Sequence, residues 1–313
     1  MTRASKMLNK SLILSACFSF AALYAPQVAA AETPESGAAR LSAMFAESLD
    51  FTLNQGGPYS DPGLAKWKIE QVFSDLTRPY CPHCPPRRTL TEEEEAGVSQ
   101  KIRTKAEHDA RAQYMLGARY LMGQGLPQNI AEGLYWLQKA VDSGSREAPY
   151  ALARLYDDGL YVPVDKKKAA QFYRVSVPSH KAVASERLGE MYEFGIGVPI
   201  DYARAMELYK VAAEPMPGSN FRSQSAEFKI GRLYAEGKGV PRDYGKAAEW
   251  FLKSTDHGEG YGGADFEGQC ALAILYSSGL GVGRDEAQAE FWLKRPNTLS
   301  RKACQTLRDG SQK

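Results

Sequence analysis

The residues of this chain best suited to chemistry are two cysteines in Tyr80-Cys81-Pro82-His83-Cys84-Pro85-Pro86. A C-x-x-C pair supports thiol–disulfide exchange when its first sulfur starts a helix, where the dipole favours the thiolate. That helix must continue past the second cysteine. Here Pro85 and Pro86 remove backbone donors and obstruct the preceding turn, and they push Cys84 and Pro85 towards extended geometry. The expectation is a stiff loop closed by a Cys81–Cys84 disulfide, with thiol–disulfide oxidoreductase chemistry at Cys81 and Cys84 as the alternative. Haem attachment requires histidine directly after the second cysteine, where Pro85 stands. A zinc site requires more ligands than Cys81, His83 and Cys84 supply, and His108, His180 and His257 are scattered without ligand spacing. No nucleophile elbow, zincin histidine pair or S-x-x-K is present. The chain is expected to be no enzyme, with no catalytic residues, metal or cofactor, and a small-molecule substrate is not expected.

The setting of those cysteines follows from the N-terminus. Arg3, Lys6 and Lys10 precede a mostly apolar run from Ser11 to Ala22, and Val28-Ala29-Ala30 offers small residues for cleavage. This is the form of a secretory signal, too short for a membrane span. Residues 1–30 are assigned to it, with cleavage after Ala30 or Ala31. Leu14-Ser15-Ala16-Cys17 resembles a lipoprotein box, but only six residues separate Lys10 from Cys17, which disfavours anchoring there. Loss of the three basic residues from 39 leaves 36 against 37 acidic ones. That balance suggests neither nucleic acid nor an anionic membrane as partner, and no later apolar run predicts membrane insertion. Cys81, Cys84, Cys270 and Cys304 remain, an even count that in an exported protein favours two disulfides.

The elements that must position any site come from a period. Tyr120, Tyr156, Tyr192, Tyr234 and Tyr276 are spaced 36, 36, 42 and 42 residues. Three residues after each comes Gly123, Gly159, Gly195, Gly237 or Gly279. Sixteen after each comes Trp136, Phe172, Leu208, Trp250 or Trp292, expected in the core. A leucine-like residue four before each tyrosine shares its helical face. Glycine at the third position suits a left-handed cap ending helix A. Asp165, Asp201, Asp243 and Asp285 stand where N-caps would start helix B, and Ala169, Ala205, Ala247 and Ala289 allow close helix approach. One such hairpin cannot bury its own apolar face, so five must stack on one another.

From Ala226 to Trp250 the spacing is A-x-x-x-[LI]-G-x-x-Y-x-x-G-x-G-V-x-x-D-x-x-K-A-x-x-W. This resembles the Sel-one-like repeat family, a relative of the tetratricopeptide repeats, over about residues 110–295. Tyr161 in repeat two and Gly283 in repeat five depart from the pattern, replacing a glycine and a proline. The resemblance implies an all-α, right-handed superhelical solenoid of five helix pairs and a role as adaptor for protein assembly or signalling. With the signal, it points to a bacterial periplasm and to envelope assembly or signalling. By analogy with tetratricopeptide arrays, helix A lines the inner curve. Positions six and two before each tyrosine should then bind a protein or peptide partner, through Tyr114, Tyr150, Arg154, Glu186, Glu190, Phe228 and Arg232.

The flanks complete the plan. Residues 31–110, with short helices near Ala38–Leu49 and Leu64–Leu76 and a Thr91/Glu94 capping box starting a helix towards His108, are expected to cap the first repeat. Residues 111–296 carry the repeats. Residues 297–313 hold a last helix and tail, stapled by a Cys270–Cys304 disulfide. Insertions at 214–218 and 258–263 account for the longer spacings and belong in loops between one helix B and the next helix A.

Overall fold

A computed structural model describes residues 37–45, 68–73, 90–215, 222–255 and 264–294. Among them every regular element is a helix. Two short segments, α1 (37–45) and α2 (68–72), precede α3 (Glu92–Lys105). Then come five antiparallel pairs: α4 (Ala110–Met122) with α5 (Ile130–Asp142), α6 (Ala148–Asp158) with α7 (Lys166–Ser176), and α8 (Lys181–Phe194) with α9 (Tyr202–Ala213). α10 (Gln224–Glu236) with α11 (Tyr244–Thr255), and α12 (Ala264–Ser278) with α13 (Glu286–Lys294), complete the array. The fold is the all-α solenoid expected from the period.

Each hairpin is closed by the same polar contacts. The cap glycines Gly123, Gly159, Gly195, Gly237 and Gly279 are left-handed, with φ from 67° to 70°. Asn129, Asp165, Asp201, Asp243 and Asp285 accept the backbone N–H three residues on, at 2.9–3.1 Å, and so start helix B. The backbone N–H of each of these caps also donates to the carbonyl of its repeat tyrosine, at 2.9–3.0 Å. The turn therefore leaves few orphan groups at either helix end.

Packing inside the hairpin corrects one expectation. The side chains that fill it lie seventeen residues after each tyrosine: Leu137, Tyr173, Tyr209, Phe251 and Leu293, all at most 2% exposed. The neighbouring Trp136, Phe172, Leu208 and Trp250 are half-buried, and only Trp292 is buried. The reason is a close approach of the two helices. A Cβ on Gly189 would meet Tyr209 at 2.7 Å, and one on Gly231 would meet Phe251 at 2.6 Å. The small residue admits the ring directly above it, and the residue one step earlier turns about 100° away along the helix. Phe172 instead stacks on Tyr156, with centroids 5.9 Å apart. Tyr156, Tyr234 and Tyr276 are likewise half-buried, at the margin of the core.

Hairpins stack through a second small residue. A Cβ on Gly197 would lie 2.3 Å from the backbone of Lys166 at the start of the previous helix B, and one on Gly281 equally close to Tyr244. In repeat two that position is Tyr161, which adopts φ 61°, a conformation costly for a bulky residue.

The N-terminal region does more than cap the first repeat. α3 does pack there: its Thr91/Glu94 capping box forms, Arg119 of α4 donates to Ser99 at 2.9 Å, and Arg119 also pairs with Glu95. α3 ends at Lys105, three residues short of the expected His108. α1, however, lies at the opposite end of the array, where Leu41, Met44 and Phe45 join the core of the last two repeats. The apolar stripe on α1 meets Phe228 and Phe251 there. α2 packs over the first two repeats, with Phe73 5.7 Å from Tyr114.

Candidate partner-binding face

Helices α4, α6, α8, α10 and α12 form one face, and it carries the seven residues predicted to contact a partner. The structure divides them. Tyr114 is buried beneath Phe73, and Phe228 beneath Phe45, with centroids 6.0 Å apart. Both rings face the chain's own N-terminal helices. Arg232 is also buried, its guanidinium 2.6 Å from Glu193 of the preceding repeat. These three are core contacts in this structure rather than exposed anchors. Tyr150, Arg154, Glu186 and Glu190 remain partly exposed between the two covered ends.

These four sit in a charged strip that joins repeats two, three and four. The Lys229 ammonium lies 2.6 Å from both Glu186 and Glu190. Glu186 also accepts from Ser223 at 2.6 Å, and Arg187 donates to Glu190 at 2.7 Å. Arg154 pairs with Asp158 along its own helix at 3.0 Å. Tyr150 stacks flat on His180, with centroids 4.6 Å apart. Two deeper carboxylates anchor the strip. Asp157 accepts from Arg187 at 2.7 Å, Lys166 at 2.8 Å and the Tyr173 hydroxyl at 3.1 Å. Glu193 accepts from Tyr209 at 2.7 Å and from Arg232.

The protonation states follow from these contacts. Burial alone would raise the Asp157 carboxyl, but Arg187 and then Lys166 outweigh it and hold it at about 2. Burial also acts to raise Glu186, and Lys229 reverses it to a net lowering. Burial would lower Lys229, and Glu190 and Glu186 together raise it. Tyr173 and Tyr209 are pushed well above the ordinary phenol value, by burial first and then by Asp157 and Glu193. At neutral pH every carboxylate with a resolved shift stays charged and both phenols stay protonated donors. Asp157, Glu186 and Lys229 thereby form fixed, complementary charge.

Asp157, Asp158, Arg187, Glu193 and Lys229 were missed in the sequence reading. A signal existed: the residue after each repeat tyrosine is Leu121, Ala235 or Ser277 in three repeats but acidic, Asp157 and Glu193, in the other two. Charge in an otherwise buried column requires a partner. Cys270 is fully buried in α12 and disulfide-bonded. Cys17, Cys81, Cys84, Cys304 and the signal segment lie outside the described residues. Among the described residues no cluster of three His, Cys, Asp or Glu is placed to hold a metal ion, and no helix is long and apolar enough to cross a membrane.

A stack of αα-hairpins with a charged strip along one face defines an α-solenoid repeat protein, a class that works by presenting an extended surface. The Sel1 repeat model matches residues 110–145, 147–176, 182–214, 224–259 and 266–295, and the chain belongs to the Sel1 repeat family. Proteins of this family generally mediate protein–protein interaction and are typically non-enzymatic scaffolds. A solved protective antigen present in uropathogenic Escherichia coli strains, displaying an SLR fold, is 32% identical with TM-score 0.52. The match covers 63% of this chain and 40% of the antigen, so this chain spans less than half of that relative's length. A Sel1 repeat protein from Oxalobacter formigenes is 25% identical with TM-score 0.56, covering 68% of this chain and 84% of its own. No curated protein matches this chain.

Proposed function

We propose that this Sel1 repeat protein is an exported, periplasmic adaptor that holds a protein partner on the strip between its two covered ends, in envelope assembly or signalling. The single observation that carries the binding reading is the partly exposed patch of Tyr150, Arg154, Asp158, Glu186, Arg187 and Glu190 on one face. A tyrosine and arginines held in place by neighbours make good anchors, because little side-chain entropy is lost on docking. Charge of both signs selects a partner of mixed, complementary charge rather than a polyanion. Export rests on the N-terminal sequence, and a Cys270–Cys304 staple suits an oxidising compartment.

The test is affinity capture from the cell envelope with the full chain and with a Tyr150→Ala/Arg154→Ala variant. Both side chains are half-exposed, so the variant should keep its helix content by circular dichroism. Loss of one or more partners supports the assignment. A variant that keeps every partner of the parent removes the strip as the binding face.

A further inference from the structure

In repeat three, two arginines converge on one phenol oxygen. Arg174 near the end of α7 donates to the Tyr192 hydroxyl at 2.8 Å, and Arg204 near the start of α9 donates to it at 3.2 Å. Tyr192 is 6% exposed and held near the end of α8. Both arginines are exposed, the Arg204 side chain by 62%. The other repeats do not assemble this group. The residue twelve after the repeat tyrosine is Arg204 here and Glu132, Lys168, Lys246 or Gln288 elsewhere. Lys168 and Lys246 lie over the rings of Tyr156 and Tyr234, 5.0 and 5.6 Å from the centroids, without a hydrogen bond to either hydroxyl. Tyr120 receives a single arginine, Arg103 of α3.

Donors outnumber acceptors at this point. The phenol oxygen accepts twice, so its own O–H proton remains to be donated, and no acceptor for it is present among the described residues. Arg174 uses one of its five N–H groups there and pairs with no carboxylate among the described residues. Arg204 is held loosely by Asp201, at 3.4 Å, and attracted more weakly by Glu207. Burial acts to raise the Tyr192 phenol, and Arg204 and Arg174 outweigh it to a net lowering, as positive potential at the oxygen requires. The same chain shows what completes such a donor set. Arg187, Lys166 and the Tyr173 hydroxyl all donate to Asp157. Arg232 and the Tyr209 hydroxyl donate to Glu193. In both clusters one carboxylate takes the cation and the phenol proton together. At Tyr192 the cations and the phenol are in place, and no carboxylate of the described residues joins them.

We infer that Arg174, Arg204 and the Tyr192 hydroxyl form a carboxylate-binding site on the seam between repeats two and three, filled by an aspartate, glutamate or C-terminal carboxylate of the protein partner. A carboxylate has two oxygens with about four acceptor positions, so it can bridge the two guanidiniums and accept the phenol proton as well. Its single negative charge matches the cation excess left by Asp201, whereas a dianion would be repelled more strongly by Asp201 and Glu207. This deepens the adaptor reading, on which the source of the carboxylate rests; the donor geometry does not depend on it. The arginines come from α7 and α9, the second helices of their repeats, while the strip at Tyr150 and Arg154 lies on first helices. The two contacts are therefore separable by mutation.

The experiment follows the arginine Nε–H resonances of the full chain, with Arg174 and Arg204 assigned by their loss in Arg174→Gln and Arg204→Gln. The probe is N-acetylglutamic acid α-amide, titrated at constant ionic strength, with its glutamine analogue and inorganic phosphate as comparisons. Both resonances should shift saturably with the glutamate probe and stay still with the glutamine analogue. Tyr192→Phe keeps the ring and removes the O–H donor, and should weaken binding at least threefold. No saturable shift, an equal shift with the glutamine analogue, or unchanged affinity in Tyr192→Phe overturns the site. Phosphate binding at least tenfold tighter than the glutamate probe overturns the carboxylate assignment. Both arginines are exposed, so Arg174→Gln/Arg204→Gln should keep the parent's helix content. In the envelope capture that double variant should retain at least fivefold less of a partner that excess glutamate probe elutes from the parent. An undiminished yield of every partner overturns the assignment to a partner's carboxylate. If Tyr150→Ala/Arg154→Ala keeps every partner while the glutamate probe still binds, the strip alone is removed, so the two readings fall separately.

Discussion

The middle of the array and its ends solve the same problem with opposite chemistry. Between repeats two, three and four, neighbouring helices meet through buried charge, with Asp157 on Arg187 and Glu193 on Arg232. At the two ends the equivalent face carries Tyr114 and Phe228, covered by Phe73 and Phe45. Apolar packing is tolerant of small shifts and stabilises whatever covers it. A buried ion pair adds little net stability over apolar packing but penalises misalignment strongly. The ends are therefore suited to accept a helix, and the middle to hold neighbouring repeats in one register while keeping its outer charges available.

Removing half of a buried pair gives the largest expected effect. Arg232→Ala leaves the Glu193 carboxylate buried with only the Tyr209 hydroxyl, and should cost about 3–5 kcal/mol in urea unfolding. Replacing the whole group, with Glu193→Leu, Arg232→Met and Tyr209→Phe together, should recover most of that loss. If the triple variant is as unstable as Arg232→Ala, the middle depends on charge for stability and the contrast with the ends fails. Phe228→Ala should cost a similar amount, about 3–5 kcal/mol, through the cavity it leaves. Its cost should not change with pH, and that separates the two kinds of seam.

Acid should act most strongly on the middle. The Asp157 carboxyl lies at about 2 in the folded chain against an ordinary 3.8. A lowered folded value means stability that is complete above about pH 4 and lost as pH falls towards 2, amounting to about 2 kcal/mol. Glu186, lowered by Lys229, adds loss in the same direction. Unfolding midpoints measured at pH 5 and pH 2.5 should fall for the parent and for Phe228→Ala. They should fall less for Asp157→Asn, which is weaker at pH 5 but has lost the titrating group. Equal slopes in all three would place the acid sensitivity outside this cluster.

The array was legible in the sequence because its signals are local and repeated. A glycine three residues after each tyrosine and, nine after it, an aspartate or in the first repeat Asn129 must serve the same cap and the same N-cap in every copy, and they do. Position along a helix was less certain by one step. Trp136 and Trp250 were expected inside, yet Leu137 and Phe251 occupy the interior, because the contact is set by where Gly117 and Gly231 admit a side chain. The face proposed to bind a partner was half legible. Tyr150, Arg154, Glu186 and Glu190 lie where the period puts them. Tyr114 and Phe228 lie in the same column but are covered by Phe73 and Phe45, 41 and 183 residues earlier in the chain, a pairing that no repeat pattern encodes. Arg232 shares a column with Arg154, and what separates them is the acidic residue each meets: Glu193 is buried and held by its own repeat's Tyr209, Asp158 is partly exposed.

That last difference yields the smallest effect and the finest test of the contrast. Arg154 and Asp158 are four apart on α6, each about a quarter exposed, at 26% and 21%. Burial acts to lower the Arg154 guanidinium, and Asp158 outweighs it, so the net shift is upward and Arg154 stays charged. Solvent reaches both groups, which limits the attraction, and a double-mutant cycle of Arg154→Ala and Asp158→Ala should return a coupling of about 0.3–0.5 kcal/mol. Raising salt from 0.1 M to 1 M, where the screening length falls from about 10 Å to about 3 Å, should shrink it further. The same cycle on Glu193 and Arg232 should give a coupling several times larger and nearly unchanged by salt. Equal couplings would mean that the strip offered to a partner is as rigidly committed to internal pairing as the buried seam beneath it. Arg154 could then form no new pair on docking without breaking an old one of equal strength, and the face between the two covered ends would lose its claim to be the open part of the molecule.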